Sequence, residues 1–351
     1  LVCGDEDGRV ALIENTGTFK DGLPVFRSPS YFKQEADSIK CGALATPYCV
    51  DWDGDGDEDI LSGNTAGYVV FYENLGIFEG SEMPRWAAPV NLQGGDKVIR
   101  ITAGPNGSIQ GPCEAKWGYT TFTVADWDHD GLLDVVLNSI WGKVLWYRNV
   151  GSETEPKLSA AQNVDVQWPG KNPKPEWTWW EPEGKQLATQ WRTTPVVVDM
   201  NGDQLNDLVM LDHEGYLALF TRKMLPGVAG DGKNARFGLL PGKRIFVDVK
   251  GEPLRLNGKP AGGSGRKKLH AVDWDGDGDL DFLLNSMNAD LLENVSQEAG
   301  EVILINRGPI DTRPLAGHTS SPATANFFGS PKRDLLVGAE DGYLYLKLRV
   351  D

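Results

Sequence analysis

The sequence predicts an all-β protein, a β-propeller of four-stranded antiparallel blades. Three observations predict it. A unit with an aspartate-rich turn recurs along the 351 residues. Short β-prone runs flank each of these turns. No segment keeps the hydrophobic periodicity of a helix. Radial repetition of such a unit is typical of propellers.

The repeats divide the chain into blades. Aspartate turns start at residues 51, 126, 199, 273 and 326, and residues 1–17 match only the second half of the unit. We therefore expect six visible blades in one domain, with sequence missing before Leu1; a seven-bladed parent is what the family resemblance stated below implies. The blade units are about 1–40 (partial), 41–115, 116–190, 191–264, 265–316 and 317–351.

Each unit reads as a series of short strands. TPYCV (46–50), TFTVA (121–125) and TPVVV (194–198) precede the aspartates of three units. In the first unit DILSG (59–63) and YVVFYEN (68–74) follow them, separated by a glycine-bearing turn. KVIRITA (97–103) and KRIFVDV (243–249) are candidates for outer strands. The tryptophan of each DW pair is predicted to be a repeated packing residue, namely Trp52, Trp127 and Trp274.

Three of the aspartate turns fit the pattern D-x-D-x-D-G-x-x-D. Alternate carboxylates on a curled loop direct hard oxygen ligands to one centre, as calcium requires. The loops are not EF-hands, because Ser62 stands where the bidentate glutamate belongs. We expect architectural calcium; the alternative is an acidic turn that caps a hairpin without metal. The predicted ligands are Asp51, Asp53, Asp55, Asp59, Asp126, Asp128, Asp130, Asp134, Asp273, Asp275, Asp277 and Asp281.

The other two copies have lost part of the ligand set. In the third copy Asn201 replaces an aspartate and Gln204 replaces the glycine, so we expect weaker binding or none. In the fifth copy only Asp334 remains, and no metal is expected there.

This loop, followed by an apolar strand, a small-residue turn and a second strand, resembles the FG-GAP or VCBS repeat. The resemblance implies a propeller, calcium-binding loops and an extracellular or periplasmic location. The stretch AGPNGSIQGPCEAKWGYTT (103–121) and the Trp-rich insertions resemble bacterial propellers that process polysaccharides, namely ulvan lyases and rhamnosidases of rhamnosyl-glucuronate linkages.

The composition of the chain disfavours several classes of partner and site. The net charge of −16 disfavours nucleic acid as a partner, and no apolar run is long enough for a membrane span. The four cysteines form no C-x-x-C pair, which disfavours zinc. Buried free thiols are expected, with a disulfide between Cys41 and Cys113 as the alternative.

Propeller topology places the residues before each first strand on the face opposite the aspartate loops. Cationic and aromatic side chains collect there, which suits the carboxylates and rings of a uronate-containing polysaccharide. The polar strand ends of any propeller, with Trp117 and Trp191 as core, are the alternative. The predicted substrate-binding residues are Lys40, Trp117, Trp141, Trp191, Arg266, Lys268 and Asn288.

Three functions are carried forward. The first function is cleavage of an acidic polysaccharide. The resemblance to rhamnosidases implies that this polysaccharide contains rhamnose. A lyase would use His318 or His213 as base, Tyr119 as acid, and Arg192 or Lys116 to neutralise the carboxylate. A hydrolase would need two carboxylates, with Glu114, Asp212 and Glu214 as candidates. The other functions are glycan binding without catalysis and a structural interaction domain. The insertion 168–186 is either a sugar-stacking wall or a covering flap.

Overall fold

The protein is described by a computed structural model covering residues 1–4, 10–32, 39–224, 237–258, 266–297, 300–317 and 319–349. These ranges contain β-strands and one short 3-10 helix, Pro112–Glu114. The predicted all-β class is therefore confirmed. Within the described ranges, no helix has the length and apolar character needed to cross a membrane.

Five strands precede the first aspartate loop and form two small sheets. They are β1 (Val2–Gly4), β2 (Val10–Leu12), β3 (Asn15–Lys20), β4 (Leu23–Phe26) and β5 (Ser30–Tyr31). Strands β1, β2 and β5 form one antiparallel sheet, and β3 pairs with β4. Ala11 is the one buried residue of these five strands, so they contribute little to a core.

The next two sheets have the four antiparallel strands that the repeat predicts. Sheet 1 consists of β6 (Thr46–Val50), β7 (Asp59–Gly63), β8 (Val69–Tyr72) and β9 (Val90–Asn91). A hairpin of β10 (Gln93–Gly94) and β11 (Lys97–Val98) follows it. Sheet 2 consists of β12 (Thr121–Ala125), β13 (Asp134–Asn138), β14 (Leu145–Tyr147) and β15 (Gln162–Asn163). In both sheets the aspartate loop joins the first strand to the second.

The remaining sheets depart from four strands. Sheet 3 has β16 (Val196–Val198), β17 (Asp207–Leu211) and β18 (Leu217–Phe220), followed by the hairpin of β19 (Arg222–Met224) and β20 (Phe237–Leu239). Sheet 4 has β21 (Phe246–Val247), β22 (Leu269–Val272), β23 (Asp281–Asn285), β24 (Ala289–Asn294) and β25 (Val302–Pro309). Strand β21 pairs parallel to β25, so the expected outer strand of the third unit joins the fourth instead. Sheet 5 has β26 (Ser321–Ala325), β27 (Asp334–Gly338) and β28 (Leu344–Lys347).

The first strands of the five sheets are neighbours in space. Strand β6 lies beside β12, β12 beside β16, β16 beside β22, β22 beside β26, and β26 beside β6. Each neighbouring pair of sheets also shares an apolar core. Trp52 and Trp127 are buried in two of these cores, which is the packing role that the sequence predicts for the DW pair.

Sheets 1 and 5 make a direct junction although they lie at opposite ends of the repeat array. Arg333 forms a 2.7 Å salt bridge with Glu58, whose other oxygen accepts the backbone N–H of Asn326. A Cβ atom at Gly338 would overlap the carbonyl oxygen of Ala45. The predicted sixth blade, from residues 1–40, therefore does not lie between these sheets, because their first strands already pack on each other.

Candidate functional site

The last aspartate of each loop motif is buried in all five copies. One of its carboxylate oxygens accepts a backbone N–H from the end of the third strand or from one of the two residues after it. These pairs are Asp59 with Asn74, Asp134 with Asn149, Asp207 with Arg222, Asp281 with Asn294 and Asp334 with Arg349. This aspartate thus ties the loop to its own sheet, which explains why the fifth copy keeps Asp334 after losing the others.

Three acidic clusters have ligand atoms within 4.8 Å of one another. They are Asp51, Asp53 and Asp59; Asp126, Asp128 and Asp134; and Asp273, Asp275 and Asp281. These clusters could hold a metal ion. The third predicted carboxylate of each loop is not among them, and it accepts the backbone N–H two residues further on. That holds for Asp55, Asp130 and Asp277.

The first cluster has the donor set that a hard cation needs. Asp53 and Asp57 each keep a buried carboxylate oxygen without a hydrogen-bond partner among the described residues. Burial raises the pKa of Asp59 to about 7, and burial with the neighbouring carboxylates raises that of Asp57 to about 6. A cation bound here would relieve this clustering of negative charge.

The fourth-repeat cluster resembles the first. Asp279 stands in the place of Asp57 and likewise has a buried oxygen with no partner in the described part of the chain. Burial, and then the charges of Asp277, Asp281 and Asp275, raise the pKa of Asp279 to about 6. Each of these two loops therefore carries five aspartates.

The second cluster already contains a cation. Nε of Arg148 lies 2.7 Å from Asp128, and Nη2 lies 2.8 Å from Asp130. Glu73 occupies the equivalent position in the first repeat, since both residues precede the asparagine that caps the last aspartate. Leu132 replaces the extra aspartate. This loop is therefore partly neutralised by the protein itself.

The third loop is closed by side-chain contacts of other kinds. Asn201 donates to Asp207 at 2.9 Å, and Lys223 forms a 3.1 Å salt bridge with Asp203. Neither this loop nor the fifth forms an acidic cluster in the described ranges. The sequence predicts weak or no metal binding in the third copy and none in the fifth, and this stays a prediction.

At the opposite end of the first strands, cationic side chains converge. We define the mouth cluster as Glu114, Tyr119, Arg192, Arg266 and Lys268. The guanidinium carbon of Arg192 lies 3.3 Å from the centre of the Tyr119 ring, and the Tyr119 hydroxyl donates to Glu114 at 2.9 Å. The side-chain amide of Gln110, oriented as its neighbours require, links Glu114 to Arg266.

Positive charge in the mouth cluster is poorly compensated. Arg192 and Lys268 are each 3% exposed. Burial lowers the pKa of Arg192 to about 10, and burial with the charges of Arg192 and Arg266 lowers the pKa of Lys268 well below its usual value. Nε of Arg192 and Nε of Arg266 are buried without a partner in the described part of the chain. Three cations thus face one buried carboxylate, that of Glu114.

Backbone strain coincides with this cluster. Tyr119, Arg192 and Arg266 have φ angles of 49°, 58° and 65°, and Leu44 has 55° at the equivalent position of the first repeat. Left-handed backbone is costly for residues other than glycine, and such outliers concentrate at functional sites. The sequence shows no sign of this strain, because it depends on how each segment turns into its strand.

Several predicted residues lie elsewhere. Trp191 is fully buried beneath Trp177, so it is core and cannot stack on a sugar. His213 lines a separate cavity of about 330 Å³ with Trp168 and Arg244, and no described contact joins it to Arg192. The role of His213 as a base therefore stays a prediction.

Other predicted residues are peripheral, and one lies outside the described residues. Lys116 is exposed, while Trp117 packs against Tyr119 with ring centres 5.8 Å apart. Lys40 lies over the ring of Tyr343. Asn288 is buried and donates to the carbonyl oxygen of Arg313. His318 falls outside the described residues.

The tryptophan-rich insertion forms an aromatic wall with Trp141. Ring centres of Trp141 and Trp179 are 5.1 Å apart, and Trp177 lies 6.1 Å from Trp179. The Trp180 indole donates to the Trp141 carbonyl at 2.8 Å, and Nζ of Lys143 lies 4.3 Å from the Trp180 ring centre. Trp179 is 42% exposed, so the wall has an open aromatic surface.

A cavity of about 200 Å³ runs between the first strands of all five sheets. His270 lines it and shares a 2.9 Å hydrogen bond with Thr324. Burial and the charge of Arg333 lower the pKa of His270 to about 3, so it is neutral at physiological pH. The cysteines near this region are free, and the disulfide between Cys41 and Cys113 is not formed, since Cys41 is buried and Cys113 exposed.

No protein-family model and no curated protein matches the chain. Among solved structures, one similar chain is the SapL1 lectin in complex with alpha methyl fucoside. The sequence identity is 10% and the TM-score 0.38, and the match covers 99% of this chain and 88% of that one. A likeness at this level defines neither the fold nor the function of this protein.

Proposed function

We propose that the chain is a five-bladed β-propeller of the FG-GAP or VCBS type, located outside the cytoplasm. The neighbour contacts of the five first strands, the shared cores between successive sheets and the junction between sheets 1 and 5 support a closed ring. We place strands β1 to β5 outside this ring. The resemblance of the aspartate loops supports the repeat type and the extracellular or periplasmic location.

Calcium is the proposed occupant of the aspartate loops. Carboxylate oxygens in clusters of three match its preference for hard ligands. Bound calcium would neutralise the clustered aspartates and stabilise the native loops, because it binds the folded state alone. Thermal unfolding with calcium and with chelator tests this role, and equal midpoints under both conditions would argue against it.

For the opposite face we propose binding of an acidic polysaccharide through its uronate carboxylates. The observation that carries this proposal is the burial of Arg192 and Lys268 beside Arg266, with Glu114 as the one buried carboxylate that the described residues place beside Arg192. Burying uncompensated charge is costly. A ligand carboxylate would supply the missing negative charge and accept from the unpartnered guanidinium nitrogens.

The aromatic wall favours a glycan over other anions. Trp179 offers an exposed flat ring near a cation, Lys143, and such surfaces suit the apolar faces and polar edges of pyranose rings. Binding without cleavage is the function that this geometry supports best, since the described residues do not assemble the predicted histidine base.

Cleavage is the second candidate, and one observation favours it. The hydroxyl of Tyr119 donates to the buried Glu114 carboxylate while the Tyr119 ring lies against Arg192. A phenol–carboxylate pair beside a cation is able to exchange a proton with a substrate whose carboxylate is held by that cation. Tyr119→Phe keeps the ring and removes the proton, so it should abolish any cleavage while leaving binding largely intact.

The proposal is tested by calorimetric binding of a panel of uronate and neutral polysaccharides. Arg266→Gln should weaken uronate binding by about tenfold or more, because it removes one charge-assisted contact. Lys268→Met should weaken binding and raise thermal stability, since it removes a buried cation whose described charged neighbours are cations. A merely structural lysine would not produce that combination.

A surface lysine outside the mouth cluster provides the control, tested with the same panel of polysaccharides. Lys157→Gln removes a cation that is 72% exposed and lies outside the mouth cluster, so uronate affinity should not change. Unsaturated-uronate absorbance and reducing ends, followed in parallel, report cleavage. No binding of any uronate polymer, or equal losses in Lys157→Gln and Arg266→Gln, would refute the proposal.

A further inference from the structure

One position in each repeat lies at the start of the third strand, directly after the turn that leaves the second. The residues at this position are separated along the chain by the same intervals as the starts of the aspartate loops. They are Tyr68, Lys143, Tyr216, Asp290 and Tyr343. We call this the rim position.

Four of the five rim positions hold a cation against an aromatic ring. The partner comes from a different segment in each case. The pairs and their distances from cation to ring centre are Arg100 with Tyr68 at 4.9 Å, Lys143 with Trp180 at 4.3 Å, Arg255 with Tyr216 at 5.2 Å and Lys40 with Tyr343 at 5.1 Å. Scattered pairs of this kind are common on protein surfaces, whereas repetition at one position of the fold is not explained by chance contacts.

The rim positions surround the mouth cluster on the same face. The turn before Tyr216 accepts a hydrogen bond from the Gln190 side chain through the His213 carbonyl oxygen. The turns before the other four rim positions form backbone hydrogen bonds with segments that lead into a first strand. Thr65 donates to Ala43, Ile140 to Gly118, Arg192 to Ser139, Ser320 to Ser286 and Ala45 to Ala339. The pairs therefore lie around the cations of the mouth cluster, one sheet apart.

The rim cations are available to a ligand. Lys40, Arg100 and Arg255 are exposed, and Lys143 is half-buried. None of the four forms a salt bridge with a carboxylate of the described residues, although Nε of Arg255 donates to the Glu214 carbonyl oxygen at 2.9 Å. Contact with a ring also restrains each cation, so less conformational entropy is lost when a ligand binds.

We propose that the four rim pairs are secondary subsites for uronate residues of a linear acidic polysaccharide. This inference rests on the function proposed for the mouth cluster and extends it from one carboxylate to a polymer. In each pair the ring holds the cation in place, and the cation is accessible to a ligand carboxylate. Several weak sites on one chain raise the overall affinity without any new strong contact.

The test is calorimetric titration at low ionic strength with oligogalacturonates of one, three and six residues. The wild-type protein should bind the hexamer at least tenfold more tightly than the monomer. A combined variant, Lys40→Gln, Arg100→Gln, Lys143→Gln and Arg255→Gln, should lose most of that gain. The matched control, Lys20→Gln, Lys97→Gln, Lys157→Gln and Lys250→Gln, removes the same charge away from the rim positions and should behave as the wild type.

The outcomes separate this inference from the function it rests on. If the monomer and the hexamer bind equally, or if control and rim variants lose the same affinity, the rim subsites are refuted while the mouth cluster stands. If Arg266→Gln leaves monomer binding intact but the rim variant abolishes hexamer binding, the mouth assignment fails and the rim survives. Tighter binding of polyglutamate or single-stranded DNA than of the hexamer would overturn the polysaccharide as the ligand.

Discussion

The second aspartate loop should bind calcium more weakly than the first because Arg148 occupies its acidic cluster. The guanidinium contacts Asp128 at 2.7 Å and Asp130 at 2.8 Å, and the arginine side chain is 34% exposed. A charge-assisted hydrogen bond contributes about 1.5–3 kcal/mol, and solvent screening reduces what an exposed pair contributes. If calcium must displace an ion pair that contributes about 2 kcal/mol, the calcium dissociation constant of the second loop should be roughly 30-fold higher than that of the first.

Exchanging the residues at this position tests the reasoning in both directions. Arg148→Glu gives the second repeat the residue of the first, so a protein with two tight sites and one weak site should acquire three tight sites. Glu73→Arg should leave one tight site. Isothermal titration of chelator-stripped protein with calcium measures the number of sites and their affinities.

A charge control and a contrary result accompany this exchange. Glu82→Arg changes the net charge as Glu73→Arg does, but it lies on an exposed loop outside the acidic clusters. It should leave the stoichiometry unchanged. Three equal tight sites in the wild-type protein, or no change with Arg148→Glu, would show that Arg148 does not compete with calcium.

Three further predictions follow from burial and packing. In chelator, the free energy of unfolding should fall as pH rises from about 4 to 7. Burial raises the pKa of Asp59 and of Asp134 to about 7 in the folded state, so the stabilising protonated form of each is lost in that window. Urea unfolding at pH 5 and pH 8 measures this change, and greater stability at pH 8 would contradict it. Gly338→Ala should cost about 2 kcal/mol or more, since its methyl group would overlap the sheet 1 backbone at the junction with sheet 5; an unchanged unfolding midpoint would argue against the junction. A thiol reagent should modify the exposed Cys3 and Cys113 quickly and the buried Cys41 and Cys49 only after denaturation. Burial also raises the pKa of the Cys41 thiol to about 12, which disfavours the reactive thiolate. Rapid modification of all four cysteines would refute this prediction.

Local pattern predicted much of the fold. The strands next to each aspartate loop lie where alternation and turn residues place them, for example Thr46–Val50 and Asp59–Gly63. The buried tryptophans of the DW pairs were also foreseen. These features depend on residues close in sequence, and repetition strengthens the signal.

The misses concern contacts between distant parts of the chain. A sixth blade was expected from residues 1–40, but the junction of Glu58 with Arg333 joins segments far apart in sequence, and no local pattern encodes it. Trp191 was predicted to bind substrate, with a core position as the alternative, and it lies in the core. Its burial depends on Trp177, which belongs to an insertion.

The candidate site was predicted in part. Tyr119, Arg192 and Arg266 hold equivalent positions before three first strands, and Lys268 lies two residues after Arg266, so the four come together. Their burial and left-handed backbone were not foreseen. The competition by Arg148 was within reach, since aligning the repeats places it opposite Glu73.

The most direct test of the central claim compares a uronate oligosaccharide with its methyl ester by titration calorimetry. Esterification removes the carboxylate charge and leaves the sugar rings intact, so the comparison isolates the ionic contact with Arg192, Arg266 and Lys268. The free acid should bind at least tenfold more tightly than the ester, and Arg266→Gln should narrow that difference. Equal affinities for acid and ester in the wild-type protein would contradict a mouth cluster that recognises carboxylates.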